Sequence, residues 1–272
     1  MTLTSGLGSQ IIHVIPIWRS GNQLYQAIHA IAYAQAFRHR VMTQAIPPLL
    51  PALDFDFSNG LASHERNLNT FYLKTSEMNG FDMTLDEKAF VARHFLAPSL
   101  LISPLLEDDS TLVIHLRSGD IMCAKTAHPR YTPLPFCFYE MVLQEQGFKN
   151  VVVVTEPDRS HPCLPLLVKE YGARVVVDLA EGFARLLGAK HLCACVSTFS
   201  GSAALCSLQL STLYCAEELI PFRLTVRHKK PKFCELYLYR IEGLEKITWK
   251  ATSEQKQMLA RLGKGACARV DW

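Results

Sequence analysis

The sequence predicts an α/β protein of two halves, the second built on a parallel, doubly wound sheet. Three observations carry this. Hydrophobic residues make up 49% of the 272 positions and charged ones 19%, a globular balance in a chain long enough for two domains. Near the N-terminus a strand pattern runs through a Gly-containing turn into a helix pattern. From residue 111 onward, apolar runs alternate with helical patterns at the spacing of βαβ units.

In the first half, "IIHVIPIW" (11–18) reads as a strand and "RSGNQLYQAIHAIAYAQAFRHR" (19–40) as the helix after it. Leu24, Ile28 and Ile31 recur at i, i+4 and i+7, one apolar helical face. Residues 43–83, with Pro47, Pro48 and Pro51, read as irregular. "TLDEKAFVARHFL" (84–96) opens with Thr84 and Glu87 in capping-box spacing and predicts a second helix. "SPLLEDDS" (103–110) marks the boundary, which gives domains 1–107 and 108–272.

In the second half the strands are read at 111–117, 150–155, 174–178 and 192–196, and the helices at 135–147, 163–171, 182–190 and 199–209. "NVVVVT" (150–155) is a continuous β-branched run, the mark of a strand covered on both faces. "FCELYLYRI" (233–241) is a further strand. Thr252 and Gln255 cap a last helix, 253–262.

Composition narrows the function classes. The net charge of +3 is too mild to argue for nucleic acid, and the one basic run, "RHKKPK" (227–232), reads as a solvated loop. No segment approaches the ~18 apolar residues of a membrane helix. The N-terminus has neither the charged start nor the cleavage site of a signal peptide, and no Asn stands in a glycosylation sequon. Nine cysteines, an odd number with mostly apolar neighbours, read as reduced and buried. Cys193 and Cys195, the one close pair, read as small core residues, since further metal ligands at ordered spacing are missing. A cytoplasmic protein is expected, the alternative being a truncated luminal domain.

The polar groups collect at strand ends. In "TLVIHLRSGDI" (111–121), His115 and Arg117 alternate onto one face, Gly119 permits a tight turn and Asp120 lies just past it. Ligands of an open α/β sheet sit outside the carboxyl ends of its strands. A buried Arg needs a partner, and phosphate suits its fork geometry. The alternative is an Arg117–Asp120 ion pair that braces the turn. In "CVSTFSGSAALCSL" (195–208), Ser197, Thr198, Phe199 and Ser200 lead from a strand into a helix. Hydroxyls and backbone N–H groups there form an anion site, or Ser and Thr simply cap the helix. In "SGNQLYQ" (20–26), Gly21 and Asn22 open the first half's helix, with Asn22 a candidate N-cap. Glu156, ending strand 150–155, binds ribose or base, or caps the next turn. Tyr131 and Pro133–Pro135 precede a helix start.

These pieces, in this order over roughly residues 11 to 210, resemble the GDP-fucose-dependent fucosyltransferases, the group of α1,2-, α1,6- and protein O-fucosyltransferases. The shared residues are Gly21-Asn22-Gln23, His115-x-Arg117 with Gly119-Asp120, and Ser197-Thr198-Phe199-Ser200. The resemblance implies a GT-B-like fold, two Rossmann-like doubly wound domains facing a cleft, with the donor held mainly by the second. It implies a metal-independent, inverting transfer of fucose from GDP-fucose to a glycan or protein hydroxyl, with no cofactor beyond the donor substrate. By this likeness Arg117 holds the β-phosphate, Ser197, Thr198 and Phe199 line the pyrophosphate site, His115 contacts the donor and Asn22 reaches the reacting centre. Gly21, Asp120, Ser200 and Glu156 complete the donor set.

Two departures stand out. The α1,2 and α1,6 enzymes usually carry a second Arg where this chain has Ser118. The group usually reads guanine with an Asp where this chain has Phe183, leaving Glu181 or Asp178 to substitute. Glu65, Asp54 and His29 are the candidates for a general base. Asp54-Phe-Asp56 has the Asp-x-Asp spacing of metal-dependent glycosyltransferases of another fold, but with no strand before it the pair reads as chance. The alternatives are another nucleotide-sugar donor, or a non-catalytic nucleotide- or glycan-binding protein. A Rossmann dehydrogenase would need G-x-G-x-x-G, which "RSGNQLYQ" lacks.

Overall fold

A computed structural model describes residues 9–15, 19–62, 64–68, 83–129, 131–217 and 230–270. The end of the expected first strand (16–18), part of the expected irregular stretch (69–82) and the start of the basic run (227–229) lie outside the described residues. The chain divides into two compact units, Met1–Ser103 and Pro104–Trp272.

The first unit opens with β1 (Gln10–Val14) and α1 (Ser20–Phe37). Leu24, Ile28 and Ile31 on the expected helical face are fully buried. Asn22 is not the N-cap: Arg19 occupies that position, and the Asn22 main-chain N–H donates to the Arg19 carbonyl within the first turn. The stretch expected to be irregular holds β3 (Leu53–Asp56) and β4 (His64–Leu68), and β2 (Arg40–Thr43) just precedes it. The sheet order is β3-β2-β1-β4, with β2 and β4 parallel to β1 and β3 antiparallel at the edge. Strands this short and polar, "LDFD" and "HERNL", carry no apolar run for a sequence reading to find. α2 (Leu85–Val91) starts with the expected Thr84–Glu87 capping box. Its α-geometry ends five residues early, passing into a π-turn over Ala92–Leu96.

The second unit alternates as expected. Its elements are β5 (Thr111–Leu116), α3 (Phe136–Gln146), β6 (Asn150–Thr155), α4 (Leu164–Tyr171), β7 (Arg174–Val176), α5 (Leu179–Gly188), β8 (His191–Cys193) and α6 (Thr198–Cys206). β9 (Thr212–Ala216), β10 (Glu235–Ile241), α7 (Ser253–Arg261) and β11 (Cys267–Val270) follow. Gly147 and Gly172, at φ +68° and +63°, end α3 and α4 in the left-handed conformation that glycine adopts without a Cβ penalty. All of β5 and all but the first residue of β6 are buried, as a parallel strand covered on both faces requires.

The sheet runs β11-β10-β9-β8-β5-β6-β7, parallel throughout except for the antiparallel edge strand β11. The chain winds from β5 out to β7, then returns to place β8 on the other side of β5. β5 and β8 therefore flank a topological switch point, where a doubly wound sheet opens its crevice. Two boundaries differ from expectation in ways that bear on the site. β5 stops at Leu116, so Arg117 stands just beyond the strand. α5 begins three residues early because Asp178 caps it, accepting from the Glu181 N–H at 2.8 Å.

Candidate functional site

The carboxyl ends of β5, β6 and β8 bring together most of the polar residues singled out in the second half. Arg117 leaves β5 and turns toward the β8 side, where Nη1 donates to the Val196 carbonyl at 3.0 Å. Its Nη2 reaches both Asp120 carboxylate oxygens, at 3.1 and 3.4 Å. The guanidinium lies over the Tyr131 ring, 5.3 Å from the centroid. The ion pair that braces the turn is thus formed, and Arg117 is fixed by three different elements with its side chain 17% exposed. A fork held this way is pre-organised, so less rotamer entropy remains to be lost when a ligand arrives.

His115 sits one pleat deeper and is buried. Its Nδ1 lies 3.2 Å from Cys195 Sγ, and its ring packs against Phe199 at 5.6 Å between centroids. Burial, with a smaller contribution from the Arg117 charge, lowers the imidazole to about 3 and keeps it neutral. The His-x-Arg strand end and the Ser-Thr-Phe-Ser helix start therefore meet across the switch point.

At the start of α6, Ser197 is the N-cap, its Oγ accepting from the Phe199 N–H at 3.1 Å. Thr198 is the first helical residue, and Ser200 Oγ donates to the Ser197 carbonyl at 3.4 Å. Capping and anion binding are not exclusive, because one cap satisfies only one of the four N-terminal N–H groups.

On the β6 side the turn after β5 is gripped by two carboxylates. Glu156 accepts from the Ser118 main-chain N–H at 2.6 Å and from its hydroxyl at 3.2 Å. Asp158 accepts from Ser118 Oγ at 2.6 Å and from the Gly119 N–H at 3.1 Å. Burial raises the Asp158 carboxyl, but donation from Ser118, Ser160 and Gly119 outweighs it and holds the group below its usual range. Ser118, where the resembled enzymes usually have a second Arg, is fully buried and knots this turn. Gly119 takes φ +59° in it, left-handed as the turn demands. Trp249, far along the chain and fully buried, locks the other end by donating from Nε1 to the Ile121 carbonyl at 2.6 Å.

The remaining candidates fall elsewhere. Phe183 is fully buried against Phe199, 5.2 Å between centroids, so it presents no polar group to a base. Asp178 is occupied as the α5 cap, and Glu181 pairs with Arg185 at 3.4 Å. Gly21 and Asn22 lie in the first turn of α1, beyond the carboxyl end of β1 in the first unit. Asp54 does stand in a strand, contrary to the expectation, and forms a bidentate pair with Arg40, with Nε donating at 2.8 Å. Asp56 accepts from the Ser58 main chain at 2.8 Å. Glu65 lies 3.7 Å from His13 with its side chain 74% exposed, and His29 packs on the Tyr25 ring. Among the described residues none of the nine cysteines is in a disulfide, and only Cys123 is exposed. Among the described residues no three His, Cys, Asp or Glu side chains gather as a metal site would require, and no helix is long and apolar enough to cross a membrane.

Asp158, Tyr131 and Cys195 were not anticipated as parts of this site. Asp158 lies three residues past the end of β6, two past Glu156, and that position was the available signal.

No protein-family model matches the chain, and no curated protein matches it in sequence. In structure the chain is similar to the E. coli heptosyltransferase WaaC with ADP, at 12% identity and a TM-score of 0.45, over 92% of this chain and 100% of that one. It is also similar to POFUT1, at 12% identity and a TM-score of 0.39 in both forms. The apo form matches over 86% of this chain and 99% of POFUT1, and the complex with GDP-fucose over 85% and 98%. The chain is α/β, with two units, each on its own parallel-rich sheet.

Proposed function

We propose that the chain is a nucleotide-sugar glycosyltransferase whose second unit holds the donor diphosphate at the β5/β8 switch point. The observation that carries this is Arg117, pinned between Asp120, Val196 and Tyr131 beside the Ser197-capped N-terminus of α6. As the bond between the anomeric carbon and the β-phosphate oxygen breaks, negative charge grows on the diphosphate. A fixed guanidinium and a helix N-terminus stabilise that charge without rearranging. The acceptor hydroxyl then bonds to the opposite face of the anomeric carbon and loses its proton, giving inversion. The motif order favours GDP-fucose as donor and a glycan or protein hydroxyl as acceptor. A second donor is favoured by one observation, the buried Phe183 at the position expected to read guanine.

Calorimetric titration with GDP, UDP, CDP and ADP, each with EDTA and with Mn²⁺, tests both. GDP binding indifferent to EDTA supports the fucosyltransferase reading, and preference for another nucleotide keeps the site but replaces the donor. Arg117→Ala should weaken binding of the preferred nucleotide by roughly 10- to 100-fold, the worth of a charge-assisted contact. Unchanged affinity in that variant removes the phosphate role.

A further inference from the structure

Cys195 lies directly behind the paired motifs, on the loop between β8 and α6. Its sulfur is 3.2 Å from His115 Nδ1, and both side chains are buried. The Arg117 main-chain N–H also points toward the sulfur. One thiol thus adjoins the two functional residues of the β5 end.

The direction of the sulfur–imidazole bond follows from counting donors. Burial raises the thiol to about 12, so it keeps its proton. His115, neutral at the same depth, carries one ring proton. A lone pair of the sulfur already faces the Arg117 main-chain N–H. Its own proton is therefore best spent on Nδ1, which leaves the ring proton on Nε2. The reverse arrangement, Nδ1–H to sulfur, would strand a buried S–H and leave Nε2 as a lone pair. A diphosphate oxygen accepts hydrogen bonds and never donates them when ionised, so only the Nε2–H form can serve it.

We propose that Cys195 is a positioning residue that sets His115 in its Nε2–H tautomer and holds the Arg117 backbone, making both fit to meet an anionic donor. The identity of that ligand rests on the function proposed above; the tautomer does not.

The test is ¹⁵N NMR of the His115 imidazole in the full chain, wild type, Cys195→Ser and Cys195→Ala, followed by titration of each with GDP. Wild type should show an unprotonated Nδ1 and a protonated Nε2. Cys195→Ser, which keeps a donor, should retain that pattern and bind GDP within about threefold of wild type. Cys195→Ala should mix the tautomers and weaken GDP by about tenfold, the scale of one lost hydrogen bond. A protonated Nδ1 in wild type overturns the proposal, whether or not the variants fold. So does Cys195→Ala with wild-type tautomer and affinity. If the tautomer follows residue 195 but no protein binds GDP, the positioning role stands and GDP is the wrong ligand.

Discussion

Both units place their first strand beside a switch point, β1 between β2 and β4 in one and β5 between β6 and β8 in the other, yet they furnish it differently. In the first unit the helix after the central strand starts without a side-chain cap, and the ion pairs Arg40–Asp54 and His13–Glu65 involve partly exposed groups on strands β1 to β4. In the second, Ser118 binds two carboxylates of the β6 loop, Arg117 binds the β8 loop and His115 meets a thiol. A shared sheet plan supplies the location, and the buried hydrogen-bond network built on it supplies the chemistry. That contrast is the ground for proposing donor binding in the second unit.

Acid should expose the contrast most strongly. His115 and His161 are both buried and both lowered to about 3, His161 by burial alone. In the unfolded chain each returns to about 6.5. Below that pH the unfolded state takes up protons that the folded state refuses, so stability present above pH 6.5 is lost as the pH falls toward 3. The depressed Asp158 acts in the same sense. Between pH 7 and pH 5 the two histidines together should cost on the order of 4 kcal/mol. Urea unfolding at both values checks this, and His161→Asn, whose carbonyl can still accept from the Cys163 N–H as Nδ1 does, should roughly halve the loss. An unchanged pH dependence in that variant would show that His161 is not refusing its proton.

Backbone contact gives the next largest effect. A Cβ on Gly188 would stand 2.0 Å from the Leu105 carbonyl oxygen and 2.9 Å from the Leu106 nitrogen. Main chain cannot step aside, so Gly188→Ala should destabilise by about 3 kcal/mol, the upper end of overpacking costs. Gly182→Ala meets only the Val154 side chain, at 2.8 Å, and should cost about 1 kcal/mol. Denaturant midpoints that rank the two the other way would mean that the 104–107 strap yields more easily than Val154.

The same difference between units explains what could be read in advance. β5 and β6 are covered on both faces, so burial wrote a continuous apolar run into their sequence. β3 and β4 are short and polar at sheet edges, which leaves neither run nor sustained alternation. Arg117 and Ser197 were legible because one ends and the other directly follows a strand that the sequence shows. Asp158 and Cys195 were not, because what matters is their bonds to Ser118 and His115, 40 and 80 residues away. The capping role of Asp178 is hidden for a local reason: the apolar pattern starts the helix at 182, past its own cap.

The smallest effects should separate the two sets of carboxylates. Ser118→Ala keeps both main-chain donors but removes the hydroxyl shared by Glu156 and Asp158 in a buried turn. It should cost about 1–2 kcal/mol and weaken nucleotide binding through the loosened turn. Asp54→Asn removes one partner of an exposed pair in the first unit, where solvent screens the charges and two mobile side chains must be ordered. Its stability and nucleotide affinity should match wild type within error. Measured side by side, a larger loss from Asp54→Asn than from Ser118→Ala would overturn the proposal, because a carboxylate in the first unit would then do what is proposed for the β6 loop.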